Sequence, residues 1–352
     1  MIPTLKEPPM KKTPLAVLAL GGALTLALAG CGTTQTPSAE GSDAPTSTSA
    51  GCTDDTTSTS TGAVSVTDDL GRTVELDKPA ERIAVLEWQQ IEDALSLCVT
   101  PVAVADAEGY STWVTAEDLP EGVVDVGTRQ EPNLETLFGT DPDLVIVEVN
   151  AADDPIVAQL EAYDVPVLAT IGADAKDPIA KMLNTFDLIA QVTGREERAD
   201  VVTEEFQEHL DTAKAELADR DLATTEFVFL DGWVDGGNVA LRPFGQGSLV
   251  GEVGEELGLT NAWTGEVDPV YGLGQTDVEG MTTVGEANLF YTGTADPDSE
   301  SFVDALADNP AWTSLPAVAE DRLTAFPAGV WTFGGPRSTA QIIDGYLEVL
   351  SK

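Results

Sequence analysis

The sequence predicts an α/β protein built as two Rossmann-like α/β lobes joined by a single long interdomain helix. Three observations carry this. Short apolar runs at Ile83–Leu86, Val102–Ala105, Val124–Val126, Leu144–Val149 and Val167–Ile171 read as buried strands. Helical stretches at Ile91–Leu97, Leu134–Phe138 and Ile156–Tyr163 separate several of them, the alternation of a parallel sheet. A long helix then precedes a second round of the same alternation.

That helix opens on Asp177 and Pro178 at the cap and first-turn positions, with Ile179, Met182, Leu183, Phe186, Ile189 and Ala190 at helical spacing, and ends near Gly194. A second helix, Glu196 to about Ala218, follows at once. Strand and helix signals resume at Phe227–Leu230, Ser248–Leu257, Leu289–Tyr291, Phe302–Leu306, Leu323–Phe326 and Ser338–Leu350. Before all of this, Val64–Leu76 alternates around an Asp-Leu-Gly-Arg turn and reads as a β-hairpin. The expected boundaries are an N-terminal lobe over residues 64–176, the interdomain helix over 177–195 and a C-terminal lobe over 196–352.

The first 63 residues have a different logic. Lys6, Lys11 and Lys12 precede an uncharged run from Leu15 to Leu28, too short to span a bilayer comfortably, which meets Ala29, Gly30 and Cys31. Residues 1–30 are therefore expected as a signal peptide, with Met10 an alternative start. Residues 31–63 are mostly Thr, Ser, Ala, Gly, Pro and Asp and offer too little apolar surface to offset ordering. A flexible tether is expected there, spanning on the order of 30 Å.

Charge and rare residues narrow the chemistry. Sixty-one acidic side chains against 17 basic ones give a formal charge of −44, which repels nucleic acid and excludes it as a partner. The acids are scattered and read as a solvated surface. The one histidine, His209, stands on a charged helical stretch and reads as a surface residue, which argues against His-rich zinc sites and a Ser-His-Asp triad. Cys52 and Cys98 either pair in an oxidising compartment or stay a loose and a buried thiol. Their spacing does not decide.

Several segments resemble the periplasmic-binding-protein family that serves iron-siderophore and vitamin B12 importers, especially its ferric hydroxamate members. RIAVLEWQQIEDAL resembles the family's first strand and helix, and DVGTRQEPNLETLFGTDPDLVIV its most telling segment. FGQGSLVGEVGEELGLTNAWTGE and FPAGVWTFGGPRSTAQIIDGYLEVL continue the match in order. The resemblance implies a ligand cleft between the lobes, little closure because one helix bends little, and no catalysis. Leu28-Ala29-Gly30-Cys31 likewise resembles a lipobox, which implies lipidation of Cys31 and anchorage to the outer face of the bacterial cytoplasmic membrane.

The implied cargo is a ferric hydroxamate siderophore, delivered by a monomer to an ABC permease with no cofactor, since the siderophore coordinates the iron. Arg129 is implied as a donor to hydroxamate oxygens, its planar fork suiting adjacent acceptors, with a surface salt bridge to one of the many acids the alternative. Trp88 and Trp113 match aromatic positions of the first lobe, with Tyr110 nearby, Trp331 and Phe333 match a cleft-lining pair of the second, and Tyr271 stands where relatives place a tryptophan, with core packing the alternative for each. Trp312 reads as structural and Trp263 fits either role. Where hydroxamate relatives offer a tyrosine after the Leu144–Val149 strand, this chain has Asn150-Ala151-Ala152. Glu135 matches one of two acids that dock on the permease and Glu279, with Asp277 its competitor, is taken as the other, plain surface charge being the alternative for each. Cobalamin, haem and a ferric catecholate are the alternative cargoes, although Arg129 has few basic companions besides Arg242 and Arg337. A surface hydrolase, for which no nucleophile elbow appears, and a sensor or adhesin domain are the readings from other classes.

Overall fold

The computed structural model describes residues 51–351 apart from 152, 237 and 294–300. The expected signal peptide, Cys31 and the first part of the expected tether lie outside the described residues.

The hairpin forms as expected, β1 (Val64–Thr67) pairing antiparallel with β2 (Thr73–Leu76). The first lobe follows as β3 (Ile83–Val85), α1 (Trp88–Ser96), β4 (Ala103–Val104), α2 (Ala107–Trp113), β5 (Val124–Asp125), α3 (Leu134–Gly139), β6 (Leu144–Glu148), α4 (Pro155–Glu161) and β7 (Val167–Thr170). Its five strands are all parallel, in the order β5-β4-β3-β6-β7. The order reverses between β3 and β6, the place where open α/β sheets leave a crevice beyond the carboxyl ends of their strands.

The connecting helix, α5 (Pro178–Thr193), has the expected ends: Asp177 accepts the amide of Ala180, and Gly194 closes the helix in the left-handed region at φ 69°. Met182, from its first half, belongs to the second lobe's core, whereas Phe186, Ile189 and Val192 belong to the first lobe's. The next helix, α6 (Glu196–Ala218), also straddles the boundary. Ala199 and Val202 enter the first core, and Phe206, Leu210 and Leu217 the second. The strut is thus a helical pair, stiffer than α5 alone.

The second lobe contains β8 (Glu226–Asp235), β9 (Asn238–Phe244), α7 (Leu249–Glu256), β10 (Thr260–Asn261), a 3₁₀ turn (Gly280–Val284), β11 (Asn288–Tyr291), α8 (Phe302–Leu306), α9 (Pro310–Thr313), α10 (Pro316–Ala319), β12 (Leu323–Ala325) and α11 (Pro336–Val349). Strands β10-β8-β11-β12 are parallel, and β9 folds back antiparallel on β8. Helix α11 packs on α6 and α7 and sends its first turn to α1: Glu92 accepts both the amide of Ser338, at 2.8 Å, and its hydroxyl, at 2.5 Å. All nine residues of α1 are buried, because its polar face meets the second lobe rather than water.

Cys52 and Cys98 form a disulfide, with Cα atoms 5.5 Å apart. It holds the last part of the stretch expected as tether against the folded domain. Ser60 donates to the carbonyl of Gly194 at 2.8 Å, and the guanidinium of Arg195 takes Asp55, Thr57 and Thr59 as acceptors. The same arginine and Arg198 donate to the carbonyls of Leu97 and Ser96 at the carboxyl end of α1.

Candidate functional site

A cleft of about 450 Å³ lies between the lobes at the first sheet's switch point. The first lobe lines it with Glu87, which caps α1, Gln89, Arg129 and Gln130 from the loop after β5, Glu148 at the end of β6, Asn150, and Gly172 beyond β7. The second lobe supplies Arg242 from β9, Tyr271, Leu273, Trp331 and Phe333. An adjoining hollow of about 280 Å³ shares Arg242, Trp331 and Phe333 and adds Trp113, Asp231 and Trp233. A larger hollow of about 610 Å³ beside the β1–β2 hairpin has no aromatic lining and takes no residue from the second lobe.

Aromatic rings run across the boundary. Trp88 meets Trp331 edge-on with centroids 4.9 Å apart, Trp331 meets Phe333 at 5.3 Å, and Phe333 meets Tyr271 at 5.8 Å. The guanidinium of Arg129 lies over the Trp88 ring, 3.7 Å from its centroid. Its Nη1 donates to Glu87 at 2.5 Å, and Asp106 stands 3.7 Å from its Nε. The stacked, paired group is fixed in orientation, and Nη2 carries no hydrogen bond to a described residue. Arg242 is held by Asp231 through two bonds of 2.9 and 2.5 Å.

Glu148 is held differently. Its carboxylate accepts from the amide of Gln90 at 3.2 Å and from the hydroxyl of Tyr271 at 2.8 Å. Burial, aided by the neighbouring Glu87, pushes its pKa up to about 7, against the hydrogen bonds of Tyr271 and Gln90 and the charge of Arg129. Burial and the adjacent Glu148 likewise raise the Tyr271 phenol, which stays protonated. A side chain at position 172 would strike both the Tyr271 hydroxyl and the Glu148 carboxylate, so glycine there permits the contact.

The structure brings Arg129, Tyr271, Trp331 and Phe333 together on the cleft wall, with Trp113 at its side. Trp88 is 5% exposed and serves from behind, as the platform for Arg129 and Trp331. Tyr110, expected at the cleft, is fully buried in the first lobe, its hydroxyl donating to the carbonyl of Glu117 at 2.8 Å. Asp106 caps α2 from the left-handed region, and the face of the helix that carries Tyr110 packs into the first lobe's core. Trp312 is a core residue, as read from the sequence, and Trp263 proves to be one too. His209 pairs with Asp344 at 2.9 Å, outside the cleft lining. Glu135 lies exposed in the first turn of α3, and Glu279 lies exposed ahead of the 3₁₀ turn; Asp277 instead caps the amide of Gly280 at 3.0 Å.

Sequence reasoning missed Glu87, Glu148, Gln89 and Trp233. Glu87 stands just beyond β3 and Glu148 ends β6, the two strands at the switch point, a positional signal that was legible once the strand order was known. Among the described residues no group of three or more His, Cys, Asp and Glu is arranged to hold a metal ion.

Two α/β lobes on a helical strut, with a cleft lined from both sides, define a solute-binding protein. Residues 83–329 match the model of the periplasmic binding protein family, and the chain belongs to that family, one of binding proteins rather than enzymes. The iron(3+)-hydroxamate-binding protein FhuD of Escherichia coli K12 is 27% identical over 262 residues, covering 74% of this chain and 84% of its own. Among solved structures, the siderophore-binding protein FhuD from Vibrio cholerae with Fe3+-Desferal bound is 24% identical with a TM-score of 0.64, covering 77% of this chain and 97% of that one. The triscatecholate siderophore-binding protein FeuA from Bacillus subtilis, complexed with ferri-bacillibactin, is 19% identical with a TM-score of 0.65, covering 82% and 98%. These two likenesses show the fold.

Proposed function

We propose that this chain captures an iron-siderophore complex of the hydroxamate type outside the cell and hands it to the permease of an ABC importer. The lining of the cleft carries the reading. A siderophore fills the coordination sphere of its iron, so its receptor needs apolar and aromatic surface for the organic shell and a few donors for the ligand oxygens. Trp331, Phe333 and Tyr271 offer the first, and Arg129 and Arg242 the second.

Charge separates the cargo classes. Three hydroxamates balance iron(III) and leave a neutral core, whereas three catecholates leave one of charge −3. Both cleft arginines are already partnered by acids, and Glu148 adds further negative charge, so a trianionic core would be repelled. The hydroxamate-binding relative from Escherichia coli supports the same choice. A signal peptide and a lipid on Cys31 would hold the receptor at the outer face of the cytoplasmic membrane, with Glu135 and Glu279 as the acids that meet the permease. A ferric siderophore in the cleft would lie beside Trp331, so titration with a ferric trihydroxamate should give saturable loss of tryptophan fluorescence. Silence toward trihydroxamate, tricatecholate and citrate complexes of iron alike would end the siderophore reading.

A further inference from the structure

We propose that Glu148 makes this cleft selective for ferric trihydroxamates that carry a pendant cationic group, such as a protonated amine. The inference rests on the siderophore reading and names a subclass of that cargo.

It comes from pairing the charges of the cleft. Arg129 is engaged by Glu87 at 2.5 Å with Asp106 close by, and Arg242 is engaged by both oxygens of Asp231. Among the described residues Glu148 forms no salt bridge, and Arg129, whose charge acts on it, is already paired with Glu87. The hydrogen-bond donors to Glu148 are Gln90 and Tyr271, both neutral, so when ionised it leaves the cleft with an unbalanced negative charge. The acid lines the cleft from the end of β6, where a ligand seated against Tyr271, Trp331 and Phe333 passes it. The charged and titratable groups facing it are Glu87, Arg129 and Tyr271; Gln90 and Thr170 behind it are neutral. A buried carboxylate without a counter-charge is unfavourable on its own. An ammonium delivered by the ligand removes that penalty, and a ligand carboxylate deepens it.

The iron core of a trihydroxamate is neutral, so the pendant group alone sets the charge of the complex. Ferrioxamine B carries a free alkylammonium, its N-acetyl derivative is neutral, and its N-succinyl derivative carries a carboxylate. Titrating the intact protein with these three by tryptophan quenching at pH 8 should give affinities in the order cationic, neutral, anionic, with about tenfold between the first two. In Glu148→Gln the cationic-to-neutral ratio should fall below about threefold. The wild-type ratio provides a second measurement: it should fall as pH drops from 8 to 5.5, because Glu148 takes up a proton while an alkylamine of pKa about 10 stays charged. Equal affinities in the wild type, or an order that persists in Glu148→Gln and at pH 5.5, would overturn the assignment and leave the siderophore reading standing. Failure of all three complexes to bind the wild type would overturn both.

Discussion

Tyr271 of the second lobe donates its phenolic proton to Glu148 of the first across 2.8 Å, closing the floor of the cleft with a bond between the two lobes. That bond stabilises the ionised carboxylate and holds its pKa down. In Tyr271→Phe the Glu148 titration should move above its present value of about 7, observable as a shift in the pH dependence of Trp331 fluorescence. An unmoved midpoint would mean that the hydroxyl does not hold the acid.

Arg129 lines the cleft, and Glu87 and the Trp88 ring fix the plane of its guanidinium. Hydrogen bonds from a charged donor contribute about 1.5–3 kcal/mol each. Arg129→Ala should therefore weaken ferric trihydroxamate binding at least tenfold. Arg129→Lys should recover little of it, because an ammonium lacks the planar fork. Unchanged affinity in the alanine variant would remove Arg129 from the site.

Glu135 and Glu279 lie outside the cleft and stay exposed. Charge reversal at either should abolish import in cells and leave ligand affinity in solution within about twofold, since neither reaches the cargo. Loss of solution binding in either variant would place that residue in ligand capture instead.

Stability should fall as the medium turns from acid to neutral. Glu92 is fully buried, and burial raises its pKa from 4.5 to about 7 in spite of the hydrogen bonds from Ser338; burial and the nearby Glu92 raise Asp93 as well. Between pH 4.5 and 7 the folded chain keeps protons that the unfolded chain has released. Stability is thus highest below that window and declines through it, by on the order of 3 kcal/mol for Glu92 alone. Thermal melts should show a lower Tm at pH 8 than at pH 5, and Glu92→Gln should flatten the slope. A Tm that rises across this range would contradict the account.

The disulfide closes a loop between positions 46 residues apart, for which chain entropy predicts about 4 kcal/mol. The double variant Cys52→Ser, Cys98→Ser should melt at lower temperature and become open to proteolysis between residues 53 and 62. A Tm within a degree of the wild type would show that the hydrogen bonds of Arg195 hold that segment unaided.

What the sequence disclosed tracks the range of the interactions involved. Strands β3, β4, β6 and β7 of the first sheet are largely apolar and buried almost throughout, the edge strand β5 being exposed, and α5 carries its own cap signals, so both were legible locally. Strand β9 was not, because Asn238–Phe244 mixes polar residues with Arg242 and Pro243, and its pairing with β8 is tertiary. Arg242 entered the site with it. Glu148 was one carboxylate among 61 acidic residues, and only the strand order sets it beside Glu87. The absence of a tyrosine after β6 looked like a missing donor; Tyr271 reaches that strand end from the other lobe. Tyr110 misled because sequence adjacency to Trp113 says nothing about which way α2 turns its rings.

The Cys52–Cys98 bridge also decides where a mechanical load enters the protein. A chain leashed to a membrane through Cys31 would pull at the carboxyl end of α1, about 13 Å from the end where Glu87 and Trp88 face the cleft. Arg195 and Arg198 tie that same end into α6, so tension would pass into the strut and bypass the aromatic wall. Such a load would leave the cleft wall at the other end of α1 unstrained, whatever the direction of the pull.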